Sequence, residues 1–312
     1  FFAHSGDEEP YLSNVKQLTF CSMGFDRAGE AYFSPDETMI IFQAVPNGQV
    51  DYQMFVMDLK EGIPQMVSTG KGACTCGFFR HDGKKIIFAS SHSDPEPVAP
   101  ENTAGTYKWH LTPYMNIYEA SIDGTELMPL TDGPAYHAEC AYSPDGKEIV
   151  YASNSEDGMN LYILDIDTME SRRLTYSTFC YNGGPFFSPD GKHVLFRADR
   201  EKEHYLQIYM IDRDGTNERQ LTANGGVNWA PYWHPEGNVI AFTTSLHGHH
   251  QYEIYLLNIE TMVTKRLTNH PTFDGLPVFN ADGSKIMWTS KRGEDKTCQI
   301  FIADFKLPPE LL

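Results

Sequence analysis

Apolar and polar positions along the chain repeat as a block. A short run ends in an aromatic residue, a Ser-Pro-Asp-Gly-like turn follows, and then come an almost wholly apolar run and an alternating run. Aligned on the turn, the copies are YFSPDETMIIFQA, FFRHDGKKIIFAS, AYSPDGKEIVYAS, FFSPDGKHVLFRA, YWHPEGNVIAFTT and VFNADGSKIMWTS. Their second turn positions are Pro35, His81, Pro144, Pro189, Pro235 and Ala281, separated by 46, 63, 45, 46 and 46 residues. The period is therefore near 46, with one insertion of about 17 residues in the second copy.

Each copy predicts four short strands. The first ends two residues before the aligned turn position, at Phe33, Phe79, Tyr142, Phe187, Trp233 or Phe279, and the turn closes a tight hairpin. A β-branched run follows, as in KEIVYAS, then an alternating one, as in MNLYILDID, then a short run such as RRLTY. No sustained helical period occurs. The expected class is all-β, a six-bladed β-propeller of four-stranded blades, because such small sheets bury both faces only against their neighbours. The last copy ends at its third run, CQIFIADF, while residues 15–20, VKQLTF, read as a spare fourth run, so closure of the ring by an N-terminal strand is expected. The blades are placed at about 24–70, 71–132, 133–176, 177–223, 224–269 and 270–306 completed by 15–20, one propeller over 15–306 with tails at 1–14 and 307–312.

Charge narrows the partners. The 312 residues carry 24 Lys and Arg against 42 Asp and Glu, a net charge of -18, and the resulting field repels nucleic acid and anionic membrane surfaces. No stretch approaches the roughly 20 apolar residues of a membrane span. Cys74 and Cys76 form a C-x-C pair for which a mutual disulfide is geometrically poor. The aspartates of the turns, Asp145 and Asp190 among them, read as acceptors of local backbone N–H groups rather than calcium ligands.

Residues at equal offset before the turn should form rings around the axis. Seven positions upstream stand Ala28, Cys74, His137, Asn182, Asn228 and Asp274; five upstream stand Glu30, Cys76, Glu139, Gly184, Ala230 and Leu276. A period of two puts both rings on one side of their strands, facing space left by Gly184 and Ala230. Glu30, Cys74, Cys76, His137, Glu139, Asn182, Asn228 and Asp274 are thus the candidate ligand-binding set at the channel mouth. A divalent metal ion held by His137, Glu139 and Glu30 is its sharper form, set against a wet channel that binds nothing. Tyr107 and Trp109, in the long insertion of the second copy, and Trp229 are the candidate partner contacts, while Trp233 reads as packing. The histidine-rich stretch His247–His250 reads as a solvated hairpin tip.

The repeated SPDGKxIxF, followed by an IYxxDxDG-type strand and xxRLT, resembles the repeat of the C-terminal propeller of TolB, and YNGGPFFSPDGKHVLFRA and its relatives resemble stand-alone bacterial TolB-like propellers. The resemblance covers Val15 to Phe305 and implies six blades and an exported, periplasmic or extracellular protein. It brings no settled activity. TolB's additional N-terminal α/β domain has no counterpart in the 14 residues before Val15, and no G-x-S-x-G elbow of the hydrolases joined to related propellers occurs. Oligogalacturonate lyase, a propeller enzyme with a histidine-bound metal in its channel, is a weaker resemblance, since His137 alone stands at the expected layer. The expected function is a binding or scaffold module for a protein, peptide or small ligand at the channel mouth, with a glycan lyase or hydrolase in the channel as the alternative.

Overall fold

The hairpin-rich repeat folds as its pattern requires. The computed structural model describes residues 11–95 and 111–312, and within these it holds six four-stranded antiparallel sheets. In five of them the strands follow in chain order from the axis outward. The inner strands are Phe25–Phe33, Cys74–Phe79, His137–Tyr142, Asn182–Phe187, Asn228–Trp233 and Asp274–Phe279. Second strands such as Ile149–Tyr151 within Glu148–Ser153 are buried on both faces between blades, which is why they read as continuous apolar runs. Outer strands such as Ser171–Arg173 are exposed and short.

The sixth sheet is closed by the N-terminal strand, which pairs antiparallel with Gln299–Phe305. That strand spans Leu12–Gln17 rather than 15–20, since Leu12 is drawn into the core of the sixth blade and a bulge at Asn14 shifts the register. Leu18 and Thr19 still act as the fourth run does elsewhere: the Leu18 amide donates to the Ile300 carbonyl at 2.8 Å and the Thr19 hydroxyl accepts the Ile300 amide at 2.9 Å. The C-terminal residues also pack, with Leu311 fully buried and its carbonyl accepting from Asn258 at 3.0 Å.

The threonine of the LT run explains why so short an outer strand suffices. In all six blades a Ser or Thr hydroxyl there, Thr175 for example, accepts the amide of the second residue of the third strand. Side-chain oxygens thus replace ladder bonds that a two- or three-residue strand cannot supply. The turn aspartates behave as expected, Asp145 and Asp190 each accepting from a serine hydroxyl at 2.6 Å and a lysine amide at 3.1 Å.

Candidate site at the channel mouth

Each inner strand carries an extra residue at the same point of the repeat. The pairing of inner and second strands shifts between Gly29 and Ala31, Thr75 and Phe78, Ala138 and Ala141, Gly183 and Phe186, Trp229 and Tyr232, and Gly275 and Val278. At each shift stands a residue of the five-upstream ring with positive φ: Glu30 46°, Cys76 55°, Glu139 57°, Gly184 58°, Ala230 48° and Leu276 58°. Five of the six are not glycine, so each holds a conformation that costs about 1–2 kcal/mol in an L-residue. A six-fold bulge is therefore a built feature of the channel wall.

The bulge separates the two rings that strict alternation would have put together. All six bulge residues line one cavity on the axis. The seven-upstream residues are buried away from it: Asn182 donates to the Met159 carbonyl of the preceding blade at 2.9 Å and Asn228 to Gln207 of the preceding blade at 2.8 Å, while Cys74 lies 3.2 Å from the Ser90 hydroxyl of its own blade. Asp274 accepts from the Trp288 indole at 3.0 Å and from Arg292 at 2.7 Å.

Glu139 is the centre of the polar cluster. One carboxylate oxygen accepts from the Tyr136 hydroxyl at 3.2 Å and the Tyr181 hydroxyl at 2.5 Å; the other accepts from Arg197 at 3.1 Å and from the Gly184 amide. Arg197 also donates to the Tyr181 hydroxyl at 2.9 Å. The pair is 3% and 12% exposed. Burial works against the Arg197 charge, yet Tyr181 and Glu139 still lift its pKa above the usual guanidinium range.

Local sequence explains the arrangement. In blades one, five and six the second-strand residue beside the bulge accepts the bulge amide of the next blade: Gln43 takes that of Cys76 at 3.3 Å, Thr243 that of Leu276 at 2.9 Å and Thr289 that of Glu30 at 3.0 Å. In the third blade that residue is Ala152, so Glu139 takes the Gly184 amide instead. The space expected beside Gly184 is filled, because a Cβ there would collide with the Arg197 guanidinium. Gly183 is equally constrained, its missing Cβ leaving room for Tyr181 and Glu139.

Across the cavity, Tyr32 donates to Glu30 at 3.3 Å. Burial raises the Glu30 pKa, against the lowering effect of the Cys76 thiol and Arg197. Burial and the Glu30 and Glu139 charges push the Cys76 thiol well up, which disfavours its thiolate. All six cysteines are unpaired.

An aromatic plug closes the channel below the cluster. Three positions before the turn stand Tyr32, Phe78, Phe186 and Tyr232 from four blades, with ring centroids 5.1 Å apart for Tyr32 and Phe78, 5.7 Å for Tyr32 and Phe186, and 5.2 Å for Phe186 and Tyr232. The cavity left above the plug is about 40 Å³, room for a few water molecules.

The metal arrangement does not form. Among the described residues no three His, Cys, Asp or Glu side chains converge to hold an ion. His137 stands on the far side of its bulge from Glu139, its ring centroid 6.0 Å from that of Tyr151 and its buried Nδ1 without a hydrogen-bond partner. Trp229 lines the cavity at its rim, against Tyr252 at 6.2 Å and Phe273 at 6.3 Å. Trp233 is buried. Tyr107 and Trp109 lie outside the described residues.

Sequence reasoning missed Arg197, Tyr136 and Tyr181. Arg197 had a signal, since it is the one charged residue at a repeat position otherwise held by Gln43, Ala89, Ala152, Thr243 and Thr289. Also missed were Tyr176 and Phe179, 80% and 97% exposed on the loop joining the third and fourth blades, at the same end as the mouth.

The family model for the TolB β-propeller domain matches residues 97–245 and 216–307, together about two-thirds of the chain. A TolB homologue from Chlorobaculum tepidum is 32% identical over 112 residues, 35% of this chain and 24% of its own length, so the match spans about a quarter of that relative. Among solved structures, a candidate TolB from Agrobacterium tumefaciens superposes with a TM-score of 0.65 at 19% identity, covering 90% of this chain and 91% of its own. An oligogalacturonate lyase from Vibrio parahaemolyticus reaches 0.59 at 15% identity over 96% and 94%, a likeness of fold. With its six bulged, four-stranded blades and this match, the chain belongs to the TolB β-propeller domain family.

Proposed function

We propose that this chain is a TolB-like binding module, exported to the periplasm or cell exterior, that captures a protein or peptide partner on the face bearing the channel mouth. One observation carries the reading. The cavity beneath that face is about 40 Å³, far below the ~300 Å³ at which pockets begin to enclose a ligand, so a partner rests on the rim and does not enter the channel. A glycan lyase or hydrolase working inside the channel would need both that room and a converging donor set.

The rim offers what protein partners use. Trp229, Tyr252 and Phe273 form a half-buried aromatic cluster, and Tyr176 and Phe179 stand exposed beyond it. Aromatic anchors dominate interface energetics, and exposed ones gathered on one face mark docking surfaces. Tyr107 and Trp109 are proposed as further contacts. The Glu139–Arg197 pair and Trp229 line the same cavity, whose bulge residues offer polar groups that a partner's polar tip can meet.

The test is capture of partners from an extract of the native cells by immobilised protein, wild type against a Trp229→Ala, Phe179→Ala variant. Retention of the captured protein should fall at least about tenfold in the variant, as for loss of an interface anchor. Equal retention would remove the mouth face from the account.

A further inference from the structure

The opposite end of the ring is built differently. All six hairpin turns gather there, and their aromatics and prolines, with the underside of the plug, wall a funnel of about 300 Å³. Its floor is apolar and partly exposed at Phe78, Phe186 and Tyr232, and Pro35, Pro144 and Pro189 stand exposed at its lip. The funnel is thus several times larger than the mouth cavity and takes one large side chain.

Charge around the lip is uneven. In blades two to four the turn carboxylates have basic partners: Arg80 on Asp82 at 2.9 Å, Arg213 near Asp145 at 3.8 Å, and Lys192 on Asp190 at 3.1 Å. The turns of blades five, six and one, residues 234–238, 280–284 and 34–38, carry Glu236, Asp282, Asp36 and Glu37 and no lysine or arginine. Asp36 accepts from Ser34 and Thr38, and Asp282 from Asn280 and Ser284, neutral donors that leave the charge in place. Glu37 is fixed across the blade boundary by the Asn280 side chain and the Ala281 amide, both at 3.0 Å.

We propose that this funnel is a second docking site, for a basic peptide segment that places an aromatic or large apolar side chain on the floor and a lysine or arginine over the acidic lip of blades five, six and one. The occupant follows from complementarity: an apolar hollow selects the anchor, and four carboxylates on one side of it select the flanking cation. It is distinct from the mouth-face partner, since the aromatic plug separates the two ends.

The chain has four tryptophans, of which Trp233 walls the funnel and Trp229 the mouth, so 5-fluorotryptophan labelling gives each end its own fluorine resonance, assigned by Trp→Phe variants. Peptides selected from a random phage-displayed library on the immobilised protein, then synthesised, are the probe. Selected sequences should join an aromatic or large apolar residue to lysine or arginine and shift the Trp233 resonance while leaving Trp229 still. Affinity should fall about threefold to tenfold in a Glu37→Gln, Glu236→Gln variant and fall again between about 0.1 and about 0.5 M salt. No enrichment, enrichment of acidic sequences, movement of Trp229 alone, or unchanged affinity in the variant would overturn the proposal. A Trp233 shift with no mouth-face capture would leave this site standing and the mouth reading fallen.

Discussion

Glu139 and Arg197 carry the most concentrated electrostatics of the wall. Glu139 is buried and Arg197 largely so, and each satisfies what the other leaves exposed to a low-dielectric wall. Removing one partner strands a charge, at a cost of about 3–5 kcal/mol, whereas replacing both with neutral residues of similar shape costs much less. Urea unfolding should therefore rank Arg197→Met and Glu139→Gln, each alone, well below the double variant; additive losses would show that the pair is not coupled. Glu30 behaves in the opposite sense. A carboxyl whose pKa is raised by folding binds its proton more tightly in the native state, so its contribution to stability is lost as pH rises from the ordinary 4.5 through the raised value. Glu30→Gln should gain on the wild type over that window and then run parallel to it at higher pH. Parallel curves throughout would mean that Glu30 titrates normally.

The strands and their blades were readable because the turn is written six times and burial follows the repeat. Phe187 and Trp233, two residues before their turns, are buried as packing residues should be. The bulge was not readable. Alternation assigns Cys74 and Cys76 to one face, and only the pairing of Thr75 with Ala89 and Phe78 with Ile87 reveals the extra residue between them. Glycine at Gly184 alone hinted at positive φ, since the other blades place Glu, Cys, Ala or Leu there. Once the bulge is known, the candidate ring divides: Glu30, Cys76 and Glu139 meet the cavity, while Asn182 and Asn228 tie blades together and Asp274 is held within the sixth blade. The LT run had likewise been read as a strand and nothing more, although its hydroxyl does much of the pairing. Thr175→Val should cost about 1–3 kcal/mol, because the buried Leu161 amide loses its acceptor, and Thr175→Ser should recover most of that. Equal losses in both variants would place the effect in packing at the methyl group.

At the scale of the whole molecule, the chain is a ring fastened at the sixth blade and shut on its axis. Closure leaves no open radial edge, and the plug turns what could be a tunnel into two unlike concavities. No helix among the described residues is long and apolar enough to cross a membrane. The net charge of -18 and the small mouth cavity fit the proposed reading, in which partners meet the molecule on its end faces. The most direct measurement is site-specific photo-crosslinking in native cells, with p-benzoylphenylalanine placed at Phe179 on the mouth face or at Val15 on the outer strand of the sixth blade. The account predicts a discrete protein adduct from position 179, diminished by Trp229→Ala, and none from position 15. Adducts of equal yield from both positions, or none from 179, would contradict it.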